Sequence, residues 1–374
     1  MSFNKHDLTR NEFMIKKQGY DWWWHSFSAI DDITKEEKAF FIEYFLINPS
    51  LSKDIPVFGK LPENKANHIK PSYLMVKGGT WGSDAKQLHR FFAWKDVSVK
   101  ANAPFSIKAD DCIVCDKKLA GSIEVSKEDS INNPALMCDS GSMSWDLTVD
   151  KMITFNVGYG TSKPIRTLNV FEMAWHAEGM KSQYSGTVIY NGKKYNVIKD
   201  KSFGYADKNW GKGFTSPWVW LSSNNLKSNI TGKTLNNSVF DIGGGCPKIL
   251  NISLERKLLS AFYYEGREFE FNFSKFWTHT KTIFDCKIID DEMVWNINQQ
   301  STDGKIEVLL KCKVSDMLFV NYEAPDGSKK HNKLYNGGNG YGTIKLYEKK
   351  KGKYNIVDDI DVKNLGCEYG EYSK

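Results

Sequence analysis

The chain has 374 residues, 41% hydrophobic and 26% charged, with a formal net charge of +6. The length suits two modest domains, the apolar content excludes disorder as the main state, and the charge is too small for a dedicated nucleic-acid binder. The 12 Trp, 17 Tyr and 22 Phe point to strands and to apolar pockets.

Residues 1–7 are polar and hold no signal-peptide core. No stretch reaches the roughly 18 apolar residues a membrane span needs; residues 39–47 come nearest, and Glu43 interrupts them. Peripheral membrane contact stays open. Residues 22–29 alternate Trp23, His25, Phe27 and Ala29 with Trp22, Trp24, Ser26 and Ser28, which is the period of a half-buried strand. Residues 84–92 read as a short helix. Cys112-x-x-Cys115 has no second pair, so it reads as two strand thiols rather than as a zinc site. Seven scattered cysteines fit a reducing, cytoplasmic compartment better than a disulfide framework. Residues 170–179 put Phe171, Met173, Trp175 and Ala177 on one face and Glu172, Ala174, His176 and Glu178 on the other. Residues 184–198 form a hairpin whose Asn191-Gly192 predicts a type I′ turn. Phe269, Phe271 and Phe273 alternate with Glu268, Glu270 and Asn272, and Asp303-Gly304 and Asp326-Gly327 mark further turns. The basic run 349–353 reads as a solvated loop.

These segments predict an all-β chain, two tandem antiparallel β-barrels or sandwiches with few short helices. The Gly-containing polar run 200–213 marks a boundary, giving domains over 1–212 and 213–374. Phosphate-binding loops and dinucleotide fingerprints are absent, Gly243-Gly244-Gly245 included, and the histidines lack metal spacing. No cofactor and no metal are expected, and the oligomeric state is not set by the sequence.

One segment, residues 203–220, packs a carboxylate, a cation, an amide and several aromatic rings together. Its plainer reading is a loop that caps a barrel, with Asp207 paired to Lys208 and Trp210 as a plug. Tyr205-x-Asp207-Lys208-Asn209-Trp210-Gly211, followed by Phe214, Pro217 and Trp220, resembles the Lys-Asn-Trp-Gly segment of the tocopherol cyclase-like family. Trp22-Trp23-Trp24-His25, leading through an apolar strand to Asn48-Pro49, is similar to that family's opening strand and to the Trp-rich opening of carotenoid hydratases. Trp175-His176, Tyr184-Ser185-Gly186 and Asn191-Gly192 resemble the strand and hairpin before the motif, and Phe240 with Gly243-Gly244-Gly245 resembles the next strand end. The resemblance runs from about residue 20 to 347. The family's Glu is Asp207 here, one methylene shorter, and Thr215-Ser216 is inserted before Pro217; both changes point away from a tocopherol-type substrate toward another isoprenoid or lipid.

The resemblance implies a pair of lipocalin-like barrels and cofactor-free acid chemistry on an alkene. A general acid protonates the alkene, and a hydroxyl or water captures the cation. Asp207 is the first candidate acid, with Glu172 and Glu178 behind it. If Lys208 pairs with Asp207 and keeps it ionised, His176 supplies the proton. Tyr205 shares the side of Asp207 in an extended strand and can hydrogen-bond a substrate oxygen. The expected cavity is reached by Asp207, His176, Tyr205 and Asn209. Trp23, Trp210, Trp218 and Trp220 serve as walls, and His25, Lys208 and Glu172 lie around them. The expected partner is a prenyl or terpenoid molecule. The alternative is a non-catalytic carrier, which would show apolar walls with polar groups only at the mouth. A scaffold would show both barrels filled by side chains.

Overall fold

The computed structural model describes residues 18–370 apart from 101–103, 156–172, 247, 250–251, 254–256, 274 and 329–333. Strands dominate. The first sheet is built from β1 (Tyr20–Asp31), β2 (Glu37–Ile47), β3 (Tyr73–Thr80), β4 (Lys86–Phe92), β5 (Val97–Lys100), β6 (Ser106–Ala109), β7 (Cys112–Cys115), β8 (Lys118–Val125), β9 (Gly141–Phe155), β10 (Met173–Tyr190), β11 (Lys193–Val197) and β12 (Gly204–Gly211). Its order is β4-β3-β2-β1-β11-β10-β9-β8-β7-β6-β5, and β12 fills the gap between β1 and β10. The sheet curls until β4 lies beside β8, where Arg90 Nη1 donates to the carbonyl of Ser122 at 3.1 Å.

The chain continues through β13 (Trp218–Ser223), β14 (Asn225–Ser228), β15 (Val239–Gly245), β16 (Lys248–Ile249), β17 (Ile252–Ser253), β18 (Lys257–Tyr264), β19 (Arg267–Asn272), β20 (Lys281–Ile289), β21 (Glu292–Gln300), β22 (Gly304–Lys313), β23 (Leu318–Phe319), β24 (Tyr335–Lys350) and β25 (Lys353–Gly370). The second sheet runs β19-β18-β15-β13-β25-β24-β22-β21-β20, with β14 on β25 and β23 on β24; β16 and β17 form a separate hairpin. The strand ladders are antiparallel, as in lipocalin-like sheets. The α-helices among the described residues are α1 (Pro62–Ala66) and α2 (Lys127–Asn132), and neither is long and apolar enough to cross a membrane.

Asn191 and Gly192 both have positive φ, 48° and 79°, as the type I′ turn requires. The basic run closes the β24–β25 hairpin. The helix expected over 84–92 is a strand instead. Residues Lys86–Phe92 pair along β3 and bury Leu88 and Phe92, so tertiary pairing overrides local preference.

Alternation sorts the apolar side chains into three cores. Trp23, Phe27, Phe40, Tyr44 and Tyr184 help fill the inside of the first sheet. Leu221, Phe240, Phe271 and Trp295 help fill the second. A third, strongly aromatic core lies between the sheets: Tyr20, Trp24, Phe41, Phe45, Trp81 and Trp175 from the first meet Trp218, Trp220 and Tyr322 of the second half. Among the described residues, apolar side chains pack the inside of each sheet.

The sheets approach closely because the second presents glycine where the first presents indole. A Cβ on Gly243 would stand 2.5 Å from the ring of Trp175, which is itself buried. Gly243→Ala therefore forces Trp175 or the backbone to move, at a cost of about 1–3 kcal/mol for overpacking. A urea melt should show that loss as a lower midpoint with unchanged slope.

Candidate active site

Strand β12 carries the Lys-Asn-Trp-Gly motif and is buried along almost its whole length. Successive side chains of a strand point to opposite faces. Tyr205, Asp207 and Asn209 therefore face the space between the sheets, and Lys208 and Trp210 face the inside of the first sheet. Lys208 does not pair with Asp207. It forms a fully buried ion pair with Asp21 and lies 4.0 Å above the ring of Trp23.

On the inner face, His176 is directly opposite Lys208 on β10, so it lies across the sheet from Asp207. Glu178, on the same face, pairs with Lys151. Burial works to raise the Glu178 carboxyl, but Lys151 and His176 outweigh it and hold it at about 2. His25 Nδ1 meets the hydroxyl of Tyr184 at 2.8 Å, and that hydroxyl donates to the carbonyl of Tyr205 at 2.9 Å. The Tyr184 proton is thus committed, so His25 Nδ1 is the donor. Burial and Lys151 lower His25 to about 3, leaving it neutral.

On the outer face, Asp207 Oδ2 accepts from Trp175 Nε1 at 2.9 Å and lies 3.4 Å from the Tyr205 hydroxyl. That hydroxyl is also 3.1 Å from Asp241 Oδ2 on β15. Trp220 Nε1 donates to Asp241 Oδ1 at 3.0 Å and lies 3.2 Å from the Tyr205 hydroxyl. Two carboxyls thus share one phenolic proton. Glu368, from β25, accepts from Trp218 Nε1 at 2.8 Å and from Asn336 Nδ2 at 2.6 Å. Behind them Glu43 and Lys77 form a buried pair at 2.9 Å, with Lys77 Nζ 3.7 Å above the ring of Tyr322.

Burial drives the acids upward. It lifts Asp207 well above the ordinary carboxyl value; Glu368, Glu178 and Glu43 push the same way, while the Trp175 hydrogen bond opposes. It also lifts Asp241, helped by Asp207 and opposed by Tyr205 and Trp220. Glu368 is pushed up to about 7, again chiefly by burial, with Asn336 and Trp218 opposing.

A gap of about 10 Å³ is lined by Trp22, Trp24, Asp207, Trp218, Trp220, Tyr322 and Glu368. A second of the same size lies beyond Trp22, Trp218 and Tyr322, against Met173, Phe214, Thr215 and Leu334. Each holds about one water. Asp207 Oδ1 and the indole nitrogens of Trp22 and Trp24, all buried, have no protein hydrogen-bond partner. Among the described residues, no three His, Cys, Asp or Glu side chains are grouped as metal ligands would be.

A model of the tocopherol cyclase-like family matches residues 116–371. The chain belongs to the tocopherol cyclase-like family. A rice (Oryza sativa subsp. japonica) protein assigned as a chloroplastic tocopherol cyclase is 29% identical over 102 residues, covering 27% of this chain and 20% of that protein. The match thus spans about a fifth of the relative. A candidate AttH structure from Nitrosomonas europaea aligns with a TM-score of 0.48 at 10% identity, covering 93% of each chain. Kievitone hydratase from Nectria haematococca aligns with a TM-score of 0.46 at 14% identity, covering 98% of this chain and 92% of that one.

The structure therefore divides the residues singled out from sequence. Tyr205, Asp207, Asn209, Trp218 and Trp220 meet between the sheets, with Tyr20 donating to Asn209 Oδ1 at 2.9 Å. His176, Lys208, His25, Trp23 and Trp210 lie on the opposite face of the same strands, so the expected convergence of His176 with Asp207 does not occur. Glu172 lies outside the described residues. Asp241, Glu368, Glu43 and Trp175 were not foreseen as site residues. Glu43 and Asp241 carry a signal, an acid flanked on both sides by apolar residues; Glu368, on a strand with three other acids, carries none.

Glu368 yields a pH test. Its folded value, about 7, lies above the unfolded 4.5. The folded state then holds more protons than the unfolded one between those values, so stability falls as pH rises through that window. The loss is on the order of 3 kcal/mol. Glu368→Gln removes this dependence. Its stability relative to the parent should rise between pH 4.5 and 7, read from melts at fixed ionic strength; a constant difference would mean that Glu368 titrates normally.

Proposed function

We propose that this chain is a cofactor-independent cyclase or hydratase that protonates an alkene of a prenyl- or terpenoid-like hydrophobe held between its two sheets. In this reading residues 1–212 and 213–374 are two domains, each supplying one wall. The single observation that carries it is the free oxygen of Asp207. Oδ2 accepts from Trp175, Oδ1 has no protein partner, and Asp207 lines a gap walled by indole and phenol rings. A protonated Asp207 keeps its hydrogen on Oδ1, because Oδ2 already accepts from Trp175.

An isolated alkene is a very weak base, so its acid must be protonated, desolvated and adjacent. The burial of Asp207 and its raised carboxyl value support the first two, and the aromatic gap it lines supports the third. The tertiary cation formed on protonation meets the faces of Trp22, Trp24 and Trp220, each worth about 2 kcal/mol to a desolvated cation. Capture by a hydroxyl of the same molecule closes a ring; capture by water hydrates the alkene. Either way an O–H proton must leave. Glu368 lines the same gap as Asp207 and is partly ionised near neutrality, so it is the base that takes it. The proton count then balances: Asp207 gives one proton to carbon and Glu368 receives one from oxygen. Gaps of this size admit an isoprene unit only if Trp22, Trp218 and Tyr322 turn aside.

The test uses prenylated phenols and prenyl alcohols of increasing chain length, incubated with the protein in D₂O. Cyclisation adds one deuterium at carbon without other mass change; hydration adds the elements of water as well. Asp207→Asn should lower turnover by roughly 10²–10⁴-fold with ligand binding, read by tryptophan quenching, retained. Unchanged turnover removes Asp207 from the role. Tight binding without turnover across the panel would favour the carrier.

A further inference from the structure

We infer that the open edge of the second sheet pairs with its own copy in a second chain, giving a homodimer through β20 with a two-fold axis at Cys286. Strand β20 ends the sheet order, and among the described residues its ladder partner is β21 alone. An edge strand offers a row of unpaired amides and carbonyls to another strand. The outward residues of β20 are well exposed, Ile283 at 73% and Ile289 at 53%. Lys287 Nζ reaches Asp285 Oδ2 of the same chain at 2.8 Å, so both charges stand on that outward face.

Symmetry restricts how such an edge can meet itself. In an antiparallel pair, opposite residues keep a constant index sum and share a face. A two-fold axis therefore places one residue opposite its own copy. With Asp285 at the axis, two carboxylates face each other. With Lys287 there, two ammonium groups do. With Phe284 there, Lys281 faces Lys287. Ile283 at the axis matches Lys281 with Asp285 but leaves most of the second half of the strand unpaired.

Cys286 at the axis differs on every count. Asp285 of each chain faces Lys287 of the other, so two internal ion pairs become a four-charge cluster. Phe284 faces Ile288 and Ile283 faces Ile289, so each exposed isoleucine meets an apolar partner. Opposite charges and apolar pairs across a ladder stabilise it, and like charges oppose it. The two Cys286 residues become direct neighbours. Directly opposed antiparallel residues have Cα atoms about 4.5–5.5 Å apart, within the span of about 4.4–6.8 Å that a disulfide bridges. The sequence of this edge thus selects one partner, itself, and one register.

The experiment uses the full chain under reducing conditions, with mass read by light scattering on a sizing column. The parent should elute at twice 42.8 kDa. Asp285→Lys and Lys287→Asp each gather like charge at the axis, and each should be monomeric. Mixed in equal amounts, they restore opposite charges across the ladder and should form a heterodimer. Copper-phenanthroline oxidation should link the parent through Cys286, doubling its mass on a non-reducing gel, whereas Cys286→Ser should stay unlinked while remaining dimeric on the column. A parent that stays monomeric at 100 μM and above overturns the inference. So does a dimer that both charge reversals leave intact, or one that Cys286 fails to cross-link.

Discussion

Four carboxyl groups, Glu43, Asp207, Asp241 and Glu368, are buried between two sheets among tryptophan and tyrosine rings. An isolated carboxylate cannot stay ionised cheaply there; it pairs or keeps its proton. Glu43 pairs with Lys77. The other three are met by neutral donors, three indoles, a phenol and an amide, which soften the penalty without cancelling it. Tyr205 tightens the constraint, because its one hydroxyl proton serves either Asp207 or Asp241. The carboxyl left without it is better off protonated. Raised carboxyl values follow from where these groups are placed, before any substrate is considered.

The same strands show the opposite solution on their other face. Lys208 with Asp21 and Lys151 with Glu178 are matched ion pairs in the interior of the first sheet. His25 is kept neutral by burial and by Lys151, and it bonds Tyr184, whose hydroxyl in turn holds the carbonyl of Tyr205. The inner network therefore fixes the backbone of β12 from behind while the outer face carries the unmatched acids. Adjacent residues, Asp207 and Lys208, thus have separate roles, set by the two-residue period of a strand.

Much of this was legible in the sequence. The strand period in 22–29 and 173–178, the Asn191-Gly192 turn and the Phe269/Phe271 face reappear, because each is a local consequence of strand geometry; the half-buried reading of 22–29 does not, since a second sheet covers its other face. The segment 84–92 was not, since Lys86–Phe92 is held extended by its pairing with β3. The site was half legible. Tyr205 and Asp207 are two residues apart and share a face by parity alone. Asp241 and Glu368 reach them from strands 34 and 161 positions along the chain from Asp207, so only the packing of one sheet on the other reveals them. The separation of His176 from Asp207 was also hidden. Adjacent strands can be foreseen, but the relative parity of β10 and β12 depends on a register that puts His176 opposite Lys208.

The packing that brings the acids together also tunes them. Trp81 and Trp175 both lie against glycines of the second sheet: a Cβ on Gly338 would be 2.2 Å from the Trp81 ring, as one on Gly243 would be 2.5 Å from Trp175. These indoles do more than fill space. Trp175 Nε1 donates to Asp207, and Trp81 Nε1 donates to Asn336 at 2.7 Å, which donates to Glu368. Each of these bonds favours the ionised carboxylate and so opposes burial. The acidity of both groups is therefore tied to how closely the sheets approach. A closer fit strengthens the donor bonds and lowers both values, and a looser one lets burial dominate while water is still excluded. A motion that parts the sheets would stretch these bonds and weaken the support they give to the ionised form of Asp207.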